Sequence, residues 1–319
     1  MTSLLTNTAA MVALQTLNQI NASLNTTNNR VSTGLRIAQA QDSAAYWAIA
    51  TTTASDNGAL SSVQDALAIG KSTLDVMYNG LESTRDSLQK MKELLVSARQ
   101  PGVDRTNVQV EIDGLLTDMQ NKAGASVINE QNFLAVDSSA ADWNATKAIV
   151  ASFERSASGI SISTIDLDIS SLTLTDAHAT AASKIGILDQ QRGVAVTTGP
   201  SPLAADATIS VLDVDISALT DSEDDLQRLE QFISLVDSAL VDTISAQNTV
   251  GVNLARAESQ KSFIDALMDA NDRAVGALID ANMEEESTKL RALQTQQQLS
   301  VESLSIANAS AQNVLALFR

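Results

Sequence analysis

Cysteine is absent from this 319-residue chain, so neither a disulfide framework nor thiolate chemistry is available to it. Proline occurs 3 times and aromatic residues make up 3% of the sequence, which suits long helices better than a compact mixed globule. Positive charge is also scarce: 20 Lys and Arg stand against 38 Asp and Glu, for a formal net charge of −18. No basic cluster overrides that average, which argues against nucleic acid or an anionic membrane as partner. Long apolar runs are missing too. The opening "MTSLLTNTAAMVALQTLNQI" is interrupted by Thr, Asn and Gln, so no membrane insertion is expected, and it lacks the basic and apolar regions of a cleaved signal peptide. Export, if it occurs, is expected to use no conventional signal or anchor, and a cysteine-free chain suits a route taken unfolded as well as it suits the cytoplasm.

Constellations that carry chemistry are equally sparse. The single histidine, His178, has no second His or Cys at ligand spacing and no HExxH around it, so it reads as a surface residue. Asp166/Asp168 and Asp213/Asp215 have the spacing to share a strand face and hold a hard cation, but a solvated strand face is the favoured reading. "MEEES" (283–287) on a helix is a solvated or salt-bridged turn. No phosphate loop or nucleophile elbow occurs. The expectation is a chain that is not an enzyme, with no catalytic residues, no metal and no cofactor.

What the sequence does contain is helical periodicity. From Leu60 the apolar positions run Val63, Leu67, Leu74, Met77, Leu81, Leu88, Met91, Leu95 and Ala98, a coiled-coil repeat with Gly70 and Thr84 as its weak slots. At about 1.5 Å per residue this predicts a helix of roughly 60 Å. "RQPGVD" (99–104) ends it, and a shorter helix follows with Val108, Ile112, Leu115 and Met119 on one face. Asp221 or Ser222 is placed to cap another long helix with the stripe Leu226, Leu229, Ile233, Val236, Leu240 and Ile244. Between these, over roughly 130–220, apolar residues alternate with Ser, Thr and Asp, as in half-buried strands. "STIDLDISSLT" (163–173) and "SVLDVDISALT" (210–220) nearly repeat one another, which predicts paired or duplicated strands, with "TTGPSP" (197–202) as a loop between them.

The two ends share a further property. Residues 1–29 carry no charged side chain, and neither do residues 303–318. Burying an unpaired charge is far costlier than burying an amide or hydroxyl that finds a hydrogen bond, so helices of Leu, Ala, Thr, Asn and Gln tolerate losing water on every side. Both ends also carry heptad series: Leu14, Leu17, Leu24 and Val31 at one, and Leu293, Leu304, Val314 and Phe318 at the other. One chain cannot surround its own two terminal helices, so these residues are expected to pack against other copies of the same chain. Contacts of that kind close into rings or continue into helical filaments.

"NRVSTGLRIAQAQDSAAYWAIA" resembles the N-terminal signature of bacterial flagellins, with Asn29, Arg30, Ser32, Thr33, Gly34, Leu35, Arg36, Ile37, Ala40, Asp42 and Ala44 at matching positions. "LQKMKELLVSA" (88–98) is similar to the family's next motif, and the segment from "RAVGALID" to the C-terminus looks like a flagellin tail. Ser43 replaces the usual second Asp and "AAYWAIA" departs from the common form, features that look like the alphaproteobacterial, rhizobial-type branch. The resemblance implies a mainly α fold, with long antiparallel coiled-coil helices from both termini and a small β-rich central insertion. It implies an inner coiled coil (1–32 with 284–319), a helical rod (33–150 with 221–283) and a small outer insertion (151–220).

The same resemblance implies a structural subunit that self-assembles into an extracellular swimming filament, exported with the help of a chaperone and polymerised under a cap, alone or with paralogous flagellins. Arg30, Gly34, Arg36 and Asp42 would link inner to outer domain, the arginines facing Asp42 or a carboxylate of an adjacent subunit. A hook–filament junction protein, or a coiled-coil adhesin or binding module, is the alternative.

Overall fold

Residues 7–156, 159–193 and 208–316 are described by a computed structural model, with side chains to residue 310. Phe318 and the "TTGPSP" segment lie outside the described residues, as does the side chain of Val314. Five helices dominate: α1 (Thr8–Thr33), α2 (Ala44–Ala98), α3 (Arg105–Ala125), α4 (Glu223–Ile279) and α5 (Met283–Ala316). Their ends follow from local chemistry. The Asn7 side chain accepts from the Ala10 N–H at the start of α1, and Gly34 ends that helix at φ +73°, in the left-handed region that glycine tolerates. Asp104 caps α3 directly after the Pro101-Gly102 reversal, and Ser222 caps α4 ahead of Glu223, Asp224 and Asp225, whose charges suit the helix dipole. No helix among the described residues is long and apolar enough to cross a membrane.

Between α3 and α4 the described residues form eight strands in four two-stranded ladders. β1 (Val127–Ile128) pairs antiparallel with β2 (Gln131–Asn132), and β3 (Ala135–Val136) pairs parallel with β6 (Thr175–Asp176). β4 (Thr146–Ser156) and β5 (Gly159–Asp168) form an antiparallel hairpin with a bulge between Val150 and Ser152; β7 (Arg192–Gly193) meets β8 (Thr208–Ile209). The strands begin at Val127, close to the expected 130, and β4 runs from Thr146, where the Asn144 side chain turns the chain.

Two compact units result, Met1–Gly58 with Ala266–Arg319, and Ala59–Asp265. In the second unit every large residue of the α2 repeat from Leu60 to Ala98 is buried. The slot at Gly70 is a notch: a Cβ there would lie under 3.0 Å from the Ile149 side chain, so β4 seats on the helix at that point. Gly80 plays the same part for Leu134, whose Cδ1 a Cβ would meet at 2.5 Å.

On α4 the buried series is Leu229, Phe232, Val236, Ala239, Thr243, Ala246, Val250, Asn253, Ala257 and Ile264. Of the stripe read from sequence only Leu229 and Val236 fall in this series; Leu226, Ile233 and Leu240 are half-buried and Ile244 is exposed. The heptad continues through Ala, Thr and Asn, because a seam facing large Leu and Met residues needs small ones for the helices to approach. The two seams are brought face to face by an edge of contacts at every seventh residue of α2. Gln64 reaches Asp265, Lys71 Glu258, Arg85 Gln247, Lys92 Asp237 and Arg99 Glu230, while the Tyr78 ring lies over Gly251. Exposed pairs of this kind contribute little energy each, so their role is to fix the antiparallel register.

The 210–220 segment differs from expectation. Val211–Asp213 is one 3-10 turn, closed by reciprocal hydrogen bonds between Ser210 and Asp213, and no strand follows it. The carboxamide of Gln109 takes the place of a partner strand: its Nε2 donates to the Val214 carbonyl at 3.1 Å and its Oε1 accepts from the Ile216 N–H at 2.9 Å. What the two similar segments share is their second half. Asp168 and Asp215 each accept from a serine N–H two residues on, and Leu172 and Leu219 each donate to the isoleucine carbonyl three residues back. The repeat encodes an Asp-capped turn.

Candidate assembly interface

The first unit is built on α1 and α5, which run antiparallel against each other. Asn7 donates to the Ala307 carbonyl at one end, Gln297 donates to Asn21 midway, and Arg30 meets Glu286 at the other end. The pairing is one-sided. Leu17, Leu24, Val31 and Leu304 are half-buried between the helices and Leu293 is buried, while Thr27 is the one buried residue of α1. Leu14 faces outward. It is 50% exposed, and Met11, Val12, Leu299, Val301 and Ile306 are 52–65% exposed. Two helices thus cover one face of each other and leave apolar side chains exposed on the remaining sides, with charge confined to Arg30 on α1 and to the stretch from Glu284 to Glu302 on α5.

At the Arg30–Glu286 end of this pair two short backbone segments meet. The Arg36 and Ile37 N–H groups donate to the Ile279 carbonyl, Ala281 N–H donates to the Gly34 carbonyl, and Leu35 bridges Asp280. The residues expected to link inner and outer domain find their partners here. The Arg30 guanidinium lies 3.0 Å from Glu286 Oε1, and Glu286 is buried, with Oε2 left without a hydrogen-bond partner. Arg36 donates to the Leu278 carbonyl at 2.8 Å. Neither arginine meets Asp42, whose Oδ2 instead accepts from the N–H groups of Ala38 and Gln39. Asp42 sits where a short polar side chain closes the turn before α2, and the backbone N–H groups there outcompete a more distant guanidinium. The triple-Glu turn read as solvated or salt-bridged divides accordingly, with Glu284 and Glu285 exposed over the Asn282 cap and Glu286 paired inward.

The candidate chemical residues are all used locally. His178 Nδ1 accepts from the Thr180 N–H, Asp166 accepts from the Thr164 hydroxyl, and Asp168 caps a 3-10 turn. Asp213 closes the turn with Ser210, and it shares no strand face with Asp215 because that stretch is not a strand. Sequence reading missed a buried acidic pair nearby. Burial raises the Asp176 carboxyl, but donation from Ser138, Ile185 and His178 outweighs it and holds the group below its ordinary value. Asp189 goes the other way: burial pushes it up, although the Asp176 N–H and Lys184, 3.5 Å away, oppose that. Its Oδ1 is buried with no partner. Arg105 was also missed; it is buried and holds the Ala98 and Leu219 carbonyls and Asp221, tying the α2 end to the α4 start.

Residues 4–139 match the family model for the bacterial flagellin N-terminal helical region, and residues 233–318 match that for the bacterial flagellin C-terminal helical region. The chain is 41% identical to Flagellin C of Rhizobium meliloti (strain 1021), 36% to Flagellin B of Rhizobium meliloti and 36% to Flagellin of Brucella melitensis biotype 1, each alignment covering 100% of both chains.

Proposed function

The chain belongs to the bacterial flagellin family, of the rhizobial type, and is a structural subunit of the flagellar filament; from that premise we propose that the α1–α5 pair is the part of the subunit that neighbouring copies enclose. Leu14 and the outward residues of both helices then pack between subunits. Leu17, Leu24, Val31, Leu293 and Leu304 hold the pair together, and Val314 and Phe318 extend the same series. The inner domain comprises residues 1–32 with 284–319, the rod 33–150 with 221–283, and the outer insertion 151–220. Arg30, Gly34, Arg36 and Asp42 form the linker between the first two.

The observation that carries this reading is the exposure of apolar side chains on two helices that carry no charge over residues 8–29 and 303–316, a surface that water does not favour and that a monomer does not need. Flagellins form filament polymers, and several paralogous flagellins occur among the relatives, so mixed filaments are part of the proposal. The chain is secreted unfolded, aided by an export chaperone, and added beneath a filament cap. The test is electron microscopy of purified protein seeded with filament fragments. Wild-type chain is expected to elongate the seeds, and Leu14→Asp to fail while keeping the monomer's helicity. Elongation by Leu14→Asp at the wild-type rate would refute the packing role.

A further inference from the structure

We infer that Asn57 is a site of spontaneous side-chain deamidation in the unfolded chain, and that the folded α2–α4 seam both prevents the reaction and rejects its product. Asn-Gly occurs twice in the sequence, at Asn57-Gly58 and Asn79-Gly80, and both pairs lie within α2. The two glycines differ. A Cβ at Gly80 would meet Leu134 at 2.5 Å, so packing requires glycine there. At Gly58 a Cβ would meet nothing within 4 Å, and glycine in a helix interior is less stable than alanine. Packing does not call for glycine at position 58, yet its presence opens Asn57 to a reaction.

The Gly58 backbone nitrogen attacks Asn57 Cγ, a C–N bond forms, and the side-chain nitrogen leaves as ammonia, taking up the Gly58 amide proton. Water then opens the resulting succinimide at either carbonyl. One opening gives aspartate; the other gives isoaspartate, whose backbone runs through the β-carbon. A following glycine favours ring closure, because it has no side chain to obstruct the nitrogen and leaves the backbone free to turn. Closure needs Gly58 N and Asn57 Cγ eclipsed about the Cα–C bond, a ψ far from the helical value of about −42°. Folded α2 therefore keeps the nitrogen out of reach.

The Asn57 side chain is held as well. It is buried, its Nδ2 donates to Asp272 Oδ1 at 2.6 Å and to the Met268 carbonyl at 3.2 Å, and its Oδ1 accepts from Asn271 Nδ2 at 2.9 Å. All three partners lie on α4. A carboxylate at position 57 keeps the Asn271 bond and loses both donors. It turns an oxygen toward Asp272 and the Met268 carbonyl, and burial makes that repulsion costly. Isoaspartate adds a methylene to the backbone and interrupts the hydrogen-bond ladder of α2. Asn79 is exposed, so an aspartate there meets water. Asn57 thus marks chains that have stayed unfolded, and a marked chain cannot re-form this polar layer. Neither step needs a second copy.

Peptide mapping by mass spectrometry tests the reaction in the full chain, held in mildly alkaline buffer with and without urea. In urea, Asn57 and Asn79 are expected to convert at similar rates, with isoaspartate at both. Without urea, conversion at Asn57 should fall severalfold. Gly58→Ala should slow conversion at Asn57 in urea and leave Asn79 unchanged. No conversion at Asn57 in urea, or conversion as fast without urea as with it, would overturn the inference. Thermal denaturation followed by circular dichroism tests the product. Asn57→Asp is expected to lower the midpoint by several degrees and Asn79→Asp to leave it near wild type. Adding Asp272→Asn to the Asn57→Asp chain should restore most of the loss, because donor and acceptor are then exchanged. An Asn57→Asp chain as stable as Asn79→Asp would overturn the rejection. So would an Asn57→Asp chain that fails to fold and is not rescued by Asp272→Asn.

Discussion

Gly70→Ala is the most informative single change in the second unit, because two effects of known size oppose each other there. Alanine in a helix interior is favoured over glycine by about 1 kcal/mol. At Gly70 the added methyl would fall under 3.0 Å from one Ile149 carbon and 3.4 Å from two more. Ile149 is β-branched and stiff, and its strand is held in register opposite Ile165, so it cannot swing aside. Overpacking of this kind costs about 1–3 kcal/mol, leaving a net loss of about 1 kcal/mol. Gly114, on α3, has nothing within 4 Å of its Cβ position, so Gly114→Ala is expected to gain about 1 kcal/mol. Thermal denaturation of the full chain, followed by circular dichroism, should place the two variants on opposite sides of wild type. In an Ile149→Ala background the penalty should vanish, because the clashing methyl is gone. Gly70→Ala as stable as Gly114→Ala would refute the notch.

Three further outcomes follow from the same geometry. Arg30→Met leaves Glu286 buried with no cation; with Arg30 side chain 30% exposed the expected loss is modest, about 1–2 kcal/mol, read as a lower temperature of filament dissociation, and Arg30→Met/Glu286→Leu should recover most of it. Gln109→Leu strips partners from the Val214 carbonyl and the Ile216 N–H, each costing about 1–3 kcal/mol, and hydrogen exchange should accelerate over 210–220 while the α1–α5 pair is unaffected. Asp189 is raised on folding, so its contribution is fully present below its unfolded value and is lost as pH rises through the folded one; Asp189→Asn should remove that decline in urea-unfolding stability above about pH 4, and an unchanged pH slope would contradict the assignment.

The α2 seam was legible from sequence because its heptad positions carry Leu and Met, the residues that periodicity weighs most. The α4 seam was legible only at Leu229 and Val236, with Phe232 buried where Ile233 was expected. Beyond that its buried positions are Ala239, Thr243, Ala246 and Asn253, which look like surface residues until the large partners opposite are known. Gly70 read as a flaw in the repeat because the side chain that fills it, Ile149, lies far along the chain. Alternation was right for 163–168, which lies in β5, and wrong for 210–220: what the two segments share is the turn that Asp168 and Asp215 specify, and Gln109 supplies from α3 what a strand would have supplied. At the terminal pair, the heptads matched the half-buried and buried positions Leu17, Leu24, Val31, Leu293 and Leu304 but not Leu14, which is exposed. The partners of Arg30 and Arg36 were out of reach, because Glu286 and the Leu278 carbonyl come from the opposite end of the sequence and meet the arginines only through the 34–37 and 279–281 clasp.

Hydrogen–deuterium exchange on the monomer and on the assembled filament tests the central claim most directly, read over residues 8–33 and 283–316. The account predicts rapid exchange of both helices in the dilute monomer and strong protection in the filament. Equal protection of both in a monomer that does not polymerise, or rapid exchange that persists in the filament, would contradict it.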